Sequence, residues 1–98
     1  MEKKLDKILL DIRRLLPFLR EKYRVNSIEI FGSYVRNEQR QGSDLDLLVS
    51  YIDVPGLLEF VELKNYLTDK LHVNVDLVMK DALKEQFSRN ILEEAVQV

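Results

Sequence analysis

Cysteine is absent from this 98-residue sequence, which excludes a disulfide framework, a thiolate metal site and a cysteine nucleophile. Histidine occurs once, at His72. A single imidazole builds no metal site, and the end of a helical pattern suits it as a structural residue. No apolar run approaches the ~18 residues of a membrane span, and the charged Met1-Glu2-Lys3-Lys4 start lacks the apolar core of a signal peptide. A cytoplasmic location and no membrane partner are therefore expected. There is no basic excess either: the net charge is −2, which argues against direct nucleic-acid binding through a broad basic surface. The Lys and Arg residues between Lys3 and Arg24 alternate with leucines and acids, as the wet face of a helix does. Repeats, linkers and low-complexity stretches are also missing, so residues 1–98 are expected to form one domain. A chain this short buries about 60–68% of the surface its unfolded form exposes.

What is present is ordinary in bulk, 46% hydrophobic and 33% charged, but patterned. Leu5, Ile8, Leu9, Ile12, Leu15, Leu16 and Leu19 recur at helical spacing, and Pro17 inside that stripe predicts a kink or a restart. A strand is expected over Ser27–Phe31, broken by Gly32, with Ser33 as N-cap of a short helix through Arg36. Residues 37–43 contain no apolar side chain and read as an exposed loop. A second strand follows over Leu45–Val49. Asp53 and Pro55 suit the start of another helix, with Leu57, Leu58, Val61, Leu67 and Leu71 as its buried stripe. A third strand alternates over Val73–Met79, and a last helix is expected from near Asp81 through Phe87, Ile91, Leu92 and Val96. The order α-β-α-β-α-β-α predicts one α/β layer fold.

The chemistry lies where these elements meet. Gly32 and Ser33 stand at a strand-to-helix turn, where backbone can approach a phosphate and amide N–H groups can face it. After a spacer over residues 34–43 come Asp44 and Asp46, which project together from a strand while Leu45 and Leu47 point the other way. Two adjacent carboxylates repel unless a cation sits between them, and hard oxygen ligands favour Mg²⁺ completed by substrate phosphates. Asp76, on the polar face of the third strand, is a third acid that can share a metal or accept a proton. Each feature alone is a routine turn or surface acid; together, in this order on these elements, they point to metal-assisted nucleotide transfer. Arg36 lies about one helical turn beyond Ser33, where it would either reach the phosphates or stand as a surface arginine. Tyr34, Tyr51 and Tyr66 read as packing residues.

With these residues the chain resembles the minimal nucleotidyltransferases (MNT) of the DNA polymerase beta-like superfamily. The resemblance rests on Gly32-Ser33, the Ser43-Asp44-Leu45-Asp46-Leu47 and Val75-Asp76-Leu77-Val78 stretches, and the tail from Ile91 to Val98. It implies a small mixed sheet packed with helices, ATP as donor, two Mg²⁺ ions as cofactor, and Asp44, Asp46 and Asp76 as catalytic and metal-holding residues. Gly32, Ser33 and Arg36 would then hold the triphosphate. Many MNT proteins are paired with a HEPN-domain toxin, acting as antitoxin by transferring AMP to one of its tyrosines, and a partner supplying the acceptor would complete a cleft that 98 residues leave open. One position departs from the pattern: Asn37 follows Arg36 where the family commonly has Gly. Asn is the best substitute in a left-handed cap, so the turn is expected to survive. Transfer to a small molecule, toxin occlusion without catalysis, and nucleotide sensing stay open as alternatives.

Overall fold

The computed structural model of the chain describes residues 5–40, 42–82, 91 and 93–98. The N-terminal leucine and isoleucine stripe forms one helix, α1 (Leu5–Tyr23), with Ile8, Ile12, Leu16 and Leu19 buried. Of the kink or restart expected at Pro17, the restart does not occur: α1 is one helix that contains Pro17. Arg13 and Pro17 are both exposed, so the Arg13 carbonyl that proline cannot serve is free to meet water. Arg24, in the left-handed region at φ 59°, ends the helix.

Strand β1 (Val25–Phe31) starts two residues before the expected Ser27 and carries an irregularity between Val25 and Ser27. That shift lets Val25 and Ile28, three apart, both face the core. It pairs antiparallel with β2 (Leu45–Tyr51). Helix α2 (Leu57–Leu71) is the crossover that parallel neighbours require, and it leads to β3 (Val75–Met79) alongside β2. At the other edge a two-residue strand, β4 (Val96–Gln97), pairs antiparallel with β1. Among the described residues the mixed sheet has the order β3-β2-β1-β4.

One aliphatic core fills the space between one sheet face and both helices. Ile28 and Ile30, Leu45, Leu47 and Val49, and Val75 and Leu77 supply the sheet side; α1 and α2 supply the rest. Among the described residues no buried side chain there is polar or charged. The other sheet face carries the alternate residues of the same strands. There Lys80 Nζ donates to Glu29 Oε1 at 2.6 Å. Glu29 is opposite Leu48, which is opposite Val78, so the ion pair passes over β2 and Leu48 is buried beneath the open face.

Several expected details are corrected. Gly56, not Asp53, precedes α2 and no side chain caps it; Asp53 accepts from Arg24 Nε at 3.2 Å instead. The buried face of α2 is Leu63, Leu67 and Leu71, spaced by four, while Leu57, Leu58 and Val61 face solvent. Ser33 does not cap a helix: Gly32–Tyr34 form a single 3₁₀ turn preceded by Phe31, with no side-chain cap. Val96, expected in a last helix, lies in β4. The start of that helix falls on a 3₁₀ turn, Lys80–Ala82, while Phe87 and Leu92 lie outside the described residues. His72 ends α2 in the left-handed region and donates its N–H to the Thr68 carbonyl at 3.0 Å. The tyrosines pack as expected. Tyr34 is buried, Tyr66 stacks with Phe18 and Tyr23, and burial pushes the half-buried Tyr51 hydroxyl up to about 12.

Candidate active site

Strand register brings the predicted acids together. Phe31 is opposite Asp46 across the antiparallel pair, and Asp46 is opposite Asp76 across the parallel one. Both aspartates project from the open face, because Leu45, Leu47, Val75 and Leu77 on either side of them are buried in the core. The two carboxyl groups are close enough to hydrogen-bond. The Asp46 carboxyl is pushed up to about 6, first by its partial burial, then by the charge and hydrogen bond of Asp76, then by the charge of Asp44; Arg36 opposes the rise. Partial burial beside like charges disfavours the ionised form and produces this pattern.

Gly32 follows Phe31 directly and therefore abuts Asp46. Its φ is +79°, and a Cβ at this position would overlap Asp46 Oδ2. Glycine is thus required twice, by conformation and by space. The Gly32 carbonyl then accepts from both Val35 N–H (3.1 Å) and Arg36 N–H (3.2 Å), and the Ser33 carbonyl accepts from Glu38 N–H at 2.8 Å. This last bond closes around Asn37, which takes φ 58°. Asn37 therefore occupies the left-handed position that glycine would fill, and the turn survives the departure from the family pattern.

Asp44 stands slightly apart. Its Oδ1 accepts from Asn74 Nδ2 at 2.9 Å, while the Asn74 carbonyl accepts from Leu45 N–H at 2.8 Å. Asn74 thus clamps the start of β2 from both its side chain and its backbone. Among the described residues no three carboxylate or imidazole groups converge into a ready-made metal cage. Asp46 and Asp76 meet, and Asp44, held by Asn74, acts on Asp46 by charge.

Arg36 reaches back toward the Gly32 turn. Its Nη1 donates to Glu94 Oε1 at 2.7 Å and its Nε to Glu38 Oε2 at 3.4 Å. Glu94 Oε2 in turn accepts from Gly32 N–H at 3.4 Å. Asn74 and Glu94 are the two residues sequence reasoning passed over. Asn74 carried a signal, since alternation over the expected Val73–Met79 strand puts it on the same face as Asp76, although β3 itself begins at Val75. Glu94 lies in the tail that carries the resemblance, but no local spacing links it to Gly32 or Arg36, because its placement depends on the pairing of β4 with β1.

Comparison with known proteins agrees with this geometry. A nucleotidyltransferase domain model matches residues 12–98. The chain is 48% identical over 80 residues to the protein adenylyltransferase MntA of Thermococcus cleftensis, covering 82% of this chain and 81% of that protein. A candidate minimal nucleotidyltransferase of known structure superposes with a TM-score of 0.81 at 32% identity, covering 99% of this chain and 98% of the other. A toxin–antitoxin crystal structure with AMP-PNP superposes at 0.73 and 26% identity, covering 87% of this chain and 69% of the matched one. No helix among the described residues is long and apolar enough to cross a membrane. From its strand order, its aspartates and these likenesses, the chain belongs to the nucleotidyltransferase family and is a minimal nucleotidyltransferase.

Proposed function

We propose that this enzyme transfers AMP from ATP to a hydroxyl group of a protein, specifically a tyrosine of a HEPN-domain toxin, and serves as the antitoxin of that pair. One observation carries the reading: Asp46 and Asp76 are paired in register beside Gly32, at the mouth of a turn to which Arg36 returns. The name of the Thermococcus cleftensis relative supports protein adenylylation. The AMP-PNP in the toxin–antitoxin structure supports an ATP-like donor and a toxin partner. The HEPN domain and the acceptor tyrosine follow from the family resemblance.

In the proposed step the acceptor oxygen attacks the α-phosphorus and forms a new P–O bond. The bond from that phosphorus to the bridging oxygen breaks, pyrophosphate leaves, and the hydroxyl proton passes to Asp76. Gly32 N–H, the Ser33 hydroxyl and Arg36 hold the departing phosphates. The residues fit Mg²⁺, since Asp46 and Asp76 stand opposite each other in register and offer the hard carboxylate oxygens this ion takes. Asp46 and Asp76 would hold the ion, with Asp44 joining them from Asn74. When bound, Mg²⁺ lowers the pKa of the acceptor hydroxyl and offsets charge on the phosphate oxygens.

The test is intact-mass analysis of a HEPN partner after incubation with this protein and Mg-ATP, followed by peptide mapping. One or more added AMP groups on tyrosine is the expected result. An unmodified but neutralised toxin would assign the protein to occlusion. AMP found on an added small molecule and not on protein would assign it to small-molecule transfer.

A further inference from the structure

The Gly32 N–H and the Arg36 guanidinium are two of the three donors that the reading above gives the phosphates of the nucleotide. Both already face an anion. Glu94 spans them, one carboxylate oxygen on each, at 3.4 Å and 2.7 Å. A carboxylate presents two acceptor oxygens much as a phosphate does, and an arginine fork binds either in the same way. The glutamate is also the wrong charge for a support of the metal pair. It adds a further acid to a region already holding Asp44, Asp46 and Asp76, and it engages Arg36, the cation that opposes the rise at Asp46.

The segment that delivers Glu94 is held, among the described residues, by a short edge pairing and by Val98 against the core. Its carboxylate is followed by the Ala95 N–H, which donates to the Ile91 carbonyl at 2.8 Å, and then by β4. That strand pairs with β1 through Ile30↔Val96 and Glu29↔Gln97, with Val98 N–H donating to the Ile28 carbonyl at 3.0 Å. A two-residue edge strand is the kind of element that opens at low free energy while the rest of the sheet stays closed.

We infer that Glu94 occupies the seat of a nucleotide phosphate, so that docking of the C-terminal strand on β1 and nucleotide binding oppose each other. This rests on the nucleotide-site reading above and deepens it: the chain carries its own competitor for the triphosphate. Coupling is reciprocal, so nucleotide loosens β4, and a partner that draws β4 away from β1 raises nucleotide affinity.

The experiment is calorimetric titration of magnesium AMP-PNP into the wild-type chain, Glu94→Gln and Glu93→Gln. Glu93 is exposed and makes no contact with the seat among the described residues, so its variant removes the same charge without emptying the site. Glu94→Gln is expected to bind about tenfold more tightly, a difference of about 1.4 kcal/mol, and Glu93→Gln within about twofold of wild type. Equal or weaker binding by Glu94→Gln overturns the inference and makes Glu94 a positioning residue for Arg36. An equal gain from Glu93→Gln overturns it too, by reducing the effect to general charge. If none of the three binds, the nucleotide site itself fails and takes this inference with it; binding by wild type separates the two failures. Should Glu94→Gln not fold, hydrogen exchange in the wild-type chain decides. Nucleotide is expected to speed exchange at Val96 and Val98, and unchanged or slower exchange there overturns the inference.

Discussion

The two faces of the sheet are built from alternate residues of the same strands and answer to different physics. On β2, Leu45 and Leu47 are fully buried against the helices, while Asp46 between them points the other way into a cluster of like charge. The core face gains from every atom removed from water and contains no buried polar side chain among the described residues. The open face holds Asp46 partly buried beside Asp76, an arrangement that opposes ionisation in the free protein. One face therefore stabilises the fold, and the other keeps a cost in place where a cation and phosphates would relieve it.

Exchanging neighbours on β2 separates the faces most strongly. Asp46→Asn is expected to reduce AMP transfer about a thousandfold, on the scale of losing a main electrostatic contributor, with stability unchanged or raised. Leu47→Ala, one residue on, is expected to cost about 2–5 kcal/mol, a large share of the roughly 5–15 kcal/mol a small domain has. Initial rates of labelled AMP transfer and urea midpoints give both values. If Asp46→Asn destabilises as much as Leu47→Ala, the division between the faces is wrong.

Gly32 lies where the chain leaves the sheet for the phosphate turn. Gly32→Ala meets both the positive φ and the Asp46 carboxylate. It is expected to lower transfer about a hundredfold and stability by about 1–2 kcal/mol from the backbone alone. Thermal melts and transfer rates measure the two effects. A variant with wild-type rates would show that the close approach of this turn to Asp46 is dispensable.

Titration gives a smaller contrast. The Asp46 carboxyl titrates at about 6, above its ordinary value of 3.8. An acid raised in this way favours the folded state while protonated. Its contribution is full below the unfolded value and is lost as pH rises through about 6. Because Asp46 is partly exposed, solvent screening holds the loss to no more than about 1 kcal/mol. Urea midpoints in chelator are therefore expected to fall between about pH 4 and pH 7 by this amount relative to Asp46→Asn, and added Mg²⁺ is expected to oppose the fall. Parallel pH profiles for the two proteins would remove Asp46 as the source.

What was legible in the sequence divides along similar lines. Strand alternation placed Asp46 and Asp76 on one face because apolar residues on either side of each leave no other choice. Their being opposite one another depends on β2 and β3 being parallel neighbours, a long-range fact that no local spacing contains. Helix α2 was misphased because Leu57, Leu58 and Val61 are as apolar as the residues that do pack, and hydrophobicity alone does not say which of two stripes meets the sheet. Pro17 starts no new helix because a lost backbone bond matters less on a wet helix face than the buried stripe behind it. The Asn74 clamp on Asp44 and the Glu94 contact with Arg36 join residues far apart in the chain. They emerge when the sheet is assembled.

Asn37 gives the smallest effect and tests the turn without touching either face. It is exposed and holds φ 58°, where a Cβ ordinarily costs about 1–2 kcal/mol and asparagine pays less than most residues. Asn37→Gly relieves that strain but adds freedom to the unfolded chain, so the two effects nearly cancel and stability is expected within about 1 kcal/mol of wild type. Asn37→Val has no such relief, since a β-branched residue is least tolerant of positive φ, and is expected to fall by about 1–2 kcal/mol. Because the Glu38 N–H to Ser33 carbonyl bond closes around this residue, Asn37→Val is also expected to weaken magnesium AMP-PNP binding a few-fold through Ser33 and Arg36, while Asn37→Gly leaves it unchanged. Equal affinity in both variants would show that the phosphate turn keeps its shape without its left-handed closure, and that Gly32 alone sets it.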